Sequence, residues 1–445
     1  MSEIKSIYSN QCWLDGKLQP ATVSFAGGII TSILTYKIDG AEDIGNAILM
    51  PGVIDAHVHV NEPGRTEWEG FDTATQAAAA GGTTTIIDMP LNASPVTTTL
   101  KNFHLKLEST KDKLNINVGF YGGLVPDNIN DLEDLVQAGV LGIKCFLVHS
   151  GIDEFPNVGK IEMEQALPIL AKYNIPLLAH CEIDETKADS DLAANPTSYQ
   201  SYLASRPKAW ENEAVNLMID LCKKHNTKVH IVHVSSAEAL SAIAKAKATG
   251  LLLTAETCPH YLLFKAETIP DGNTLYKCAP PIREHANNEL LKDALINGTL
   301  DFIATDHSPA PPDIKEIESG NFLKAWGGIA GLQFLLSASW TSLRDSIPLE
   351  RFIPLLTEHP AKFLNINHRK GSIKIGYDAD FVVWHPDASF EVTTESILHR
   401  HKLSPYCDKT LFGKINQTIV NGITVFKNNK IVGRNAGTIV FTNKK

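Results

Sequence analysis

The chain has 445 residues, of which 43% are hydrophobic and 20% are charged, a globular composition that allows one domain of about 300 residues plus an accessory unit. The formal net charge of −10 argues against nucleic-acid binding and against a basic membrane patch, and no apolar run approaches the roughly 20 residues of a membrane helix. Seven single cysteines without a CxxC pair, and an N-terminus without an apolar signal region, predict a reduced, cytoplasmic protein.

Short apolar, β-branched runs recur through the middle of the chain and predict eight strands, at residues 53–60, 84–89, 116–121, 142–147, 175–180, 229–234, 251–257 and 302–306. Helical segments separate most of them, among them 73–80, 132–138, 162–172, 213–224 and 237–249. This alternation over about 300 residues predicts an α/β fold of the (β/α)8 barrel type. A doubly wound open sheet is the alternative; it predicts a glycine-rich phosphate loop, and no GxGxxG or GxxxxGK[ST] occurs.

Both ends of the chain predict short strands and turns instead of alternating strands and helices. Turn signals such as Asp15-Gly16 and Gly27-Gly28 separate apolar stretches near the N-terminus, and the C-terminal region shows the same pattern. Because neither end alone has enough strands to bury a face, we expect them to pair as a small β-sandwich. The expected domains are therefore a β-sandwich of residues 1–49 plus 371–445 and a barrel of residues 50–370.

Residue types that bind metals stand at the ends of several predicted strands: His57 and His59, His180, His233 and Asp306. Side chains at the carboxyl ends of barrel strands face the active site, so we expect these groups to lie together. His57 and His59 are two residues apart on a strand and can reach one metal ion at about 2.0–2.1 Å. A lone HxH pair is equally compatible with two packed or exposed histidines. Asp55, just before the pair, is interpreted as an orienting carboxylate.

Lys144 lies within the apolar run 140–148. A buried lysine without a partner costs several kcal/mol or has a depressed pKa. One interpretation pairs it with an acidic side chain. The other, which histidines on both sides favour, is carbamylation by CO₂. The product is a carboxylate that can bridge two cations, and its formation requires the neutral amine.

His230 competes with His233 for the ligand position on the sixth strand. Three residues apart on a strand, they face opposite sides, and the position nearer the strand end favours His233. His230 is interpreted as a packed or surface histidine. Asp306 is placed to bind one metal and to accept a proton from the nucleophilic water, the alternative being a helix-capping aspartate.

Five motifs together resemble the cyclic-amidohydrolase branch of the amidohydrolase superfamily, which includes dihydroorotases, hydantoinases and allantoinases. They are Pro51-Gly-Val-Ile-Asp-Ala-His-Val-His, Gly81-Gly-Thr-Thr-Thr, Gly142-Ile-Lys-Cys-Phe, Thr257-Cys-Pro-His-Tyr and Ala304-Thr-Asp-His-Ser-Pro. The resemblance implies a distorted (β/α)8 barrel, a β-sandwich formed by both chain ends, and two divalent metal ions. The implied ligands are His57, His59 and Asp306 for one metal and His180 and His233 for the other, with carboxylated Lys144 as the bridge. Zinc is expected, with cobalt, manganese and iron as alternatives.

Within this branch, three features look like the allantoinases. Dihydroorotases place an arginine where Asn61 stands, because an arginine fork binds the carboxylate of dihydroorotate. Allantoin offers only carbonyl and N–H groups, which asparagine suits. The segments 142–151 and 277–283 also resemble the allantoinase forms. Ala310 stands where dihydroorotases carry a histidine and many allantoinases a cysteine.

The resemblance implies hydrolysis of the hydantoin-ring amide of (S)-allantoin to allantoate, in purine degradation, by a hydroxide that bridges two metals. Asp306 is the expected proton shuttle, and Asn61, Asn92 and the backbone around Cys278 are candidate substrate contacts. A dihydroorotase or a hydantoinase is the alternative enzyme. A non-catalytic assembly protein is the alternative class, which six intact ligand positions disfavour. Besides the small cyclic ureide, the expected partner is a further copy of the chain, in a homotetramer.

Overall fold

A computed structural model describes residues 3–442. Two short segments lie outside the described range. Residues 1–2 belong to the N-terminus that was predicted to lack an apolar signal region, and residues 443–445 belong to the predicted terminal domain. The strands are β1 Lys5–Leu14, β2 Lys17–Ala26, β3 Ile29–Leu34, β4 Glu42–Asp43, β5 Ile48–Pro51, β6 Val53–Val58, β7 Thr83–Asp88, β8 Asn117–Phe120, β9 Gly122–Gly123, β10 Ile143–Phe146, β11 Leu177–His180, β12 Val229–Ile231, β13 Leu253–Thr257, β14 Phe302–Ile303, β15 Phe381–Glu391, β16 Thr410–Val420, β17 Ile423–Lys427, β18 Lys430–Ile431 and β19 Ile439–Val440.

The helices are α1 Phe71–Ala80, α2 Leu100–Ser109, α3 Leu132–Ala138, α4 Lys160–Tyr173, α5 Tyr199–Ala204, α6 Lys208–His225, α7 Leu240–Ala248, α8 Pro259–Leu263, α9 His285–Asn297, α10 Leu335–Leu343, α11 Leu349–Phe352 and α12 Glu358–Phe363. Their ends follow local chemistry. The Thr99 hydroxyl accepts a hydrogen bond from Asn102 N at 3.2 Å and caps α2. Gly139, Asn174 and Asn226 adopt left-handed conformations after α3, α4 and α6, as residues tolerant of positive φ do. Among the described residues, none of the helices combines the length and the apolar character needed to cross a membrane.

The middle of the chain is α/β with parallel strands, and all eight predicted strands are confirmed, most of them shorter than predicted. Six strands from β9 to β14 form one parallel sheet, and β6, β7 and β8 form another with β19. The two sheets meet at both edges. Leu141 N donates to Phe120 O at 2.8 Å, and Val58 forms a parallel bridge with His307.

These strands are buried on both faces, which explains why they are continuous apolar runs in the sequence. Along β6, Val53 and Val58 join a cluster that includes the helical residue Phe71, whereas Ile54 and Ala56 join a second cluster. The two-residue period of a strand sends neighbouring side chains to opposite sides. Polar residues stand at the carboxyl ends of the strands.

The two chain ends, which were expected to form a small β-sandwich, pair with each other in one nine-stranded sheet with the order β18-β17-β16-β15-β5-β1-β2-β3 and β4 beside β1. The short strand β5 joins them, since it is parallel to β1 and antiparallel to β15. Gly82 brings this sheet close to the parallel strands. Its φ is 81°, and a Cβ atom there would lie 2.7 Å from Val382 Cγ2, which explains a glycine in the Gly81-Gly82 turn.

The last strand differs from the expectation that groups it with the terminal sheet. Ile439 and Val440 pair in parallel with β8, at the edge of the second parallel sheet. The side-chain oxygen of Asn117 accepts hydrogen bonds from both N and Oγ1 of Thr438, at 3.0 and 2.9 Å. A polar side chain on a neighbouring strand therefore directs the end of the chain away from the terminal sheet.

Candidate metal centre and cavity

Six side chains meet in one cavity of about 410 Å³, at the carboxyl ends of the parallel strands. They are His57 and His59 at the end of β6, Lys144 on β10, His180 on β11, His233 after β12 and Asp306 after β14. We call these six residues the ligand cluster. All are at most 8% exposed, although they come from strands far apart in sequence.

The ligand atoms of the cluster lie at distances that suit metal ions. Asp306 Oδ1 is 3.2 Å from His57 Nε2 and 3.3 Å from His59 Nε2, and His180 Nδ1 is 3.0 Å from His233 Nε2. Two atoms that bind one ion at about 2.0–2.1 Å stand roughly 3.0–3.4 Å apart. Ligand atoms of His57, His233 and Asp306 also lie within 4.8 Å of one another. The cluster therefore fits metal binding.

Lys144 Nζ is fully buried and has no hydrogen-bond partner. Burial lowers the pKa of this amine to about 8, so its neutral fraction near neutral pH is far larger than that of an exposed lysine. Other buried lysines have acceptors: Lys106 Nζ lies 2.5 Å from Asp88 Oδ2. The interpretation that pairs Lys144 with an acid finds no such partner among the described residues. An unpartnered amine beside four histidines fits conversion to a carboxylate.

Glu256 orients His57, and the sequence interpretation missed it. Its Oε1 accepts a hydrogen bond of 2.6 Å from His57 Nδ1, which leaves the lone pair of Nε2 directed at Asp306. Burial opposes protonation of His57, but Asp306 and Glu256 raise its pKa to about 9. A cation at Nε2 would take the place of that proton. Glu256 could have been found from the sequence, because it is a charged residue inside a predicted strand, as Lys144 is.

His180 is oriented by a different carboxylate. Its Nε2 donates to Glu182 Oε2 at 2.7 Å, so Nδ1 keeps the lone pair that faces His233. Glu182 is fully buried and is bound by Arg206, whose Nε lies 2.9 Å from Oε1. The Arg206 side chain is one-fifth exposed and lines the cavity. His180, Glu182 and Arg206 are therefore linked by hydrogen bonds, which connect the ligand cluster to a further residue of the cavity wall.

The other residues near the ligands have supporting contacts. Asp55 accepts hydrogen bonds from His57 N at 3.2 Å and Thr305 N at 3.1 Å, which ties together the segments that carry His57 and Asp306. His230 is fully buried, stacks on Phe302 at 5.2 Å and points Nε2 at Glu256 Oε2 at 3.2 Å. His230 is therefore a packed histidine and not a member of the ligand cluster.

Four non-glycine residues near the cavity have left-handed backbone conformations. The residues are Asn61 (φ 67°), Asn92 (φ 64°), His233 (φ 37°) and Asp306 (φ 46°). Such angles are unfavourable for residues with a Cβ atom and persist only where surrounding contacts maintain them. At His233 and Asp306 the backbone turns away from the direction of the preceding strand, and both side chains line the cavity.

The structure separates the three predicted substrate contacts. Asn92 lines the cavity, and its carboxamide lies 3.2 Å from His59 Nδ1. Asn61 is fully buried behind it and donates to Asn92 O at 3.4 Å. The Cys278 side chain is also buried outside the cavity, whereas the adjacent Ala279 lines it. Asn61 is thus not brought to the cavity surface, whereas the predicted backbone segment around Cys278 reaches it at Ala279.

Two loops, residues 277–279 and 308–327, cover the cavity opposite the ligand cluster, and we call them the cover loops. Lys315 connects them. Its buried Nζ donates to the carbonyl oxygens of Gly328 at 2.8 Å, Trp326 at 3.0 Å and Lys277 at 3.4 Å. Ala310 is buried and lies outside this cavity. Neither Lys315 nor Trp326 was predicted from the sequence, because residues that make loop contacts do not recur with a regular spacing.

A sequence model of the amidohydrolase family matches residues 48–425. The chain is 43% identical to an allantoinase of Arabidopsis thaliana over 94% of this chain and 87% of that protein. It is 40% identical to an allantoinase of Saccharomyces cerevisiae over 96% of both chains. Among solved structures, the L-hydantoinase (dihydropyrimidinase) of Arthrobacter aurescens superposes with a TM-score of 0.91 at 27% identity, over 99% of this chain and 100% of that one.

Proposed function

The chain belongs to the amidohydrolase family, and from that premise we propose that it hydrolyses the hydantoin-type ring of (S)-allantoin to allantoate, in purine degradation. The observation that carries the proposal is the ligand cluster, which faces a cavity large enough for a small cyclic amide. Identities of 40–45% to allantoinases over most of the chain support the substrate. Hydantoinase structures, which share the fold, support the cyclic-amide class.

We further propose that the parallel strands form a distorted (β/α)8 barrel of residues 50–370. The bridge between Val58 and His307 supports closure of the ring of strands. The pairing of β5 with β15 supports a terminal β-domain made of residues 1–49 and 371–445. Seven free cysteines, six of them buried, support a reducing, cytoplasmic environment. A homotetramer remains a prediction, which light scattering of the purified protein tests.

Two divalent cations, with zinc as the first choice, would be held by the ligand cluster. His57, His59 and Asp306 would hold one and His180 and His233 the other, with carboxylated Lys144 between them. When bound, such a pair polarises the scissile carbonyl and lowers the pKa of the attacking water. The short distances from Asp306 Oδ1 to both histidines of the first group, and the unpartnered amine of Lys144, support this assignment.

The residues of the chain supply positioning and proton transfer. Asp306 is the only aspartate or glutamate of the ligand cluster, so it accepts the proton of the attacking water and returns it to the departing ring nitrogen. Glu256 and Glu182 keep His57 and His180 in the orientation that leaves one lone pair free. The Asn92 carboxamide lies at the cavity surface, where it can bind a ring carbonyl or N–H group.

Turnover of three substrates tests the proposal: allantoin, dihydroorotate and hydantoin, each with the metal-loaded protein. We expect allantoin to have the highest kcat/KM. A preference for dihydroorotate or hydantoin would identify one of the alternative enzymes. The non-catalytic alternative would be supported if no divalent ion is bound after growth in metal-replete medium and none of the three substrates is hydrolysed.

A further inference from the structure

Lys277 lies in the first cover loop, is half-buried and lines the cavity. Its Nζ donates one hydrogen bond, to Ala325 O, and lies 5.4 Å from the centre of the Tyr202 ring. Within residues 3–442 no carboxylate forms an ion pair with it, and burial, with a smaller contribution from the Arg206 guanidinium, lowers the pKa of this amine to about 8. An ammonium group has three donors, so two N–H groups of this cavity-lining side chain have no acceptor among residues 3–442.

Two other cations near the cavity, Arg206 and Lys315, are bound by protein acceptors, whereas Lys324 is exposed and Lys144 belongs to the ligand cluster. The Arg206 guanidinium is neutralised by Glu182, and the Lys315 ammonium donates to three backbone carbonyls. Lys277 differs from both, since its side chain lines the cavity and its ammonium has one protein acceptor among the described residues. Placing a charged group there without a partner costs free energy unless the ligand supplies the acceptor.

The chemistry of a cyclic ureide suggests which acceptor this is. The scissile ring amide must lie against Asp306 and the histidines, so a ring substituent extends away from them. In allantoin that substituent is a ureido group, which is neutral and ends in a strong carbonyl acceptor. Lys277 is not in contact with the ligand cluster, and the donors it offers suit that acceptor.

We propose that Lys277 determines substrate specificity by donating a hydrogen bond from its ammonium group to the carbonyl oxygen of the exocyclic ureido group. This inference rests on the proposed function, because it assumes a hydantoin ring that carries such a substituent. The Tyr202 ring and Ala325 O hold the ammonium group at the cavity wall.

The test compares Lys277→Met and Lys277→Arg with the wild-type protein, using a substrate that has the ureido group and a ligand that lacks it. For allantoin, kcat and KM are measured. For hydantoin, the inhibition constant against allantoin hydrolysis is measured, so the result does not depend on how fast hydantoin is cleaved. The matched control is Lys228→Met, another half-buried lysine with a lowered pKa and one hydrogen bond, to Asn365, outside this cavity.

We expect Lys277→Met to lower kcat/KM for allantoin about 10-fold to 100-fold, as loss of a hydrogen bond from a charged donor does. The inhibition constant of hydantoin should change by less than about threefold, and Lys277→Arg should recover part of the loss. Lys228→Met should leave both quantities unchanged.

Two results would overturn the inference. Equal weakening of allantoin and hydantoin by Lys277→Met would show that the lysine only supports the cover loops through Ala325. Unchanged kinetics for allantoin would show that Lys277 does not contact the substrate. Failure of the proposed function is distinct from both, because the wild-type protein itself would then not hydrolyse allantoin.

Discussion

The ligand cluster and the cover loops enclose the same cavity but are stabilised by different interactions. In the ligand cluster, carboxylates such as Glu256 and Glu182 orient imidazoles at the ends of parallel strands. In the cover loops, lysine ammonium groups donate to backbone carbonyls, and among residues 3–442 no carboxylate forms an ion pair with Lys315. Rigid strands thus position the groups that react, whereas loops supply contacts that differ between substrates. Changes in the cluster should abolish turnover, and changes in the loops should alter KM and stability.

The largest effect is expected for Asp306→Asn. The amide cannot accept the proton of the attacking water, so kcat should fall about 10²-fold to 10⁴-fold. Steady-state kinetics and metal analysis of the same sample measure the effect. Near-normal turnover with metal still bound would show that Asp306 is not the proton shuttle.

Lys144→Met tests whether the buried amine supports metal binding. Methionine fills a similar volume but cannot become a carboxylate, so metal content should fall and activity should drop by more than about 10²-fold, since loss of an outer partner alone costs 10-fold to 100-fold. The matched variant is Lys106→Met, which removes a buried lysine paired with Asp88. It should lower stability and leave the metal content of the folded protein intact. Full metal content in Lys144→Met would contradict the bridging role.

Glu256→Gln should weaken metal binding about 10-fold to 100-fold, because His57 loses its charged orienting partner. Competition with a chelator measures this affinity. Asp380→Asn is the control, since Asp380 is a buried carboxylate paired with Lys370 in the terminal β-region. It should lower the free energy of unfolding without changing metal affinity. If both variants bind metal equally well, Glu256 has only a structural role.

The smallest effect is expected in the cover loops, for Lys315→Met. Loss of the ammonium leaves buried carbonyls without a donor, so the free energy of unfolding should fall by about 1–3 kcal/mol. We expect KM to rise more than kcat falls, because the ligand cluster is untouched. Denaturant unfolding and steady-state kinetics measure the two effects, with Lys223→Met, at an exposed position on α6 outside the cavity, as the control. A loss confined to kcat would contradict the separation of the two regions.

Several features of the site follow from local sequence patterns. His57 and His59 face the same side because strand side chains repeat every two residues. The six ligand positions were identifiable because each polar residue ends or interrupts an apolar run, and the strands were identifiable because both their faces are buried. The pairing of the chain ends was expected because neither end could bury a face alone.

Other features depended on the tertiary structure. Glu256 orients His57 across 199 residues of sequence, and Asn117 captures the C-terminal strand across 321 residues. Asn61 and Asn92 share the left-handed backbone conformation, but only Asn92 reaches the cavity. No periodic sequence pattern marks Lys277 or Lys315, since their partners are backbone carbonyls of loop residues. The sequence by itself determined the strands and the reactive residue types, because periodicity and burial are local properties. Contacts between distant segments decided which loop atoms complete the cavity. No local sequence pattern encodes such contacts.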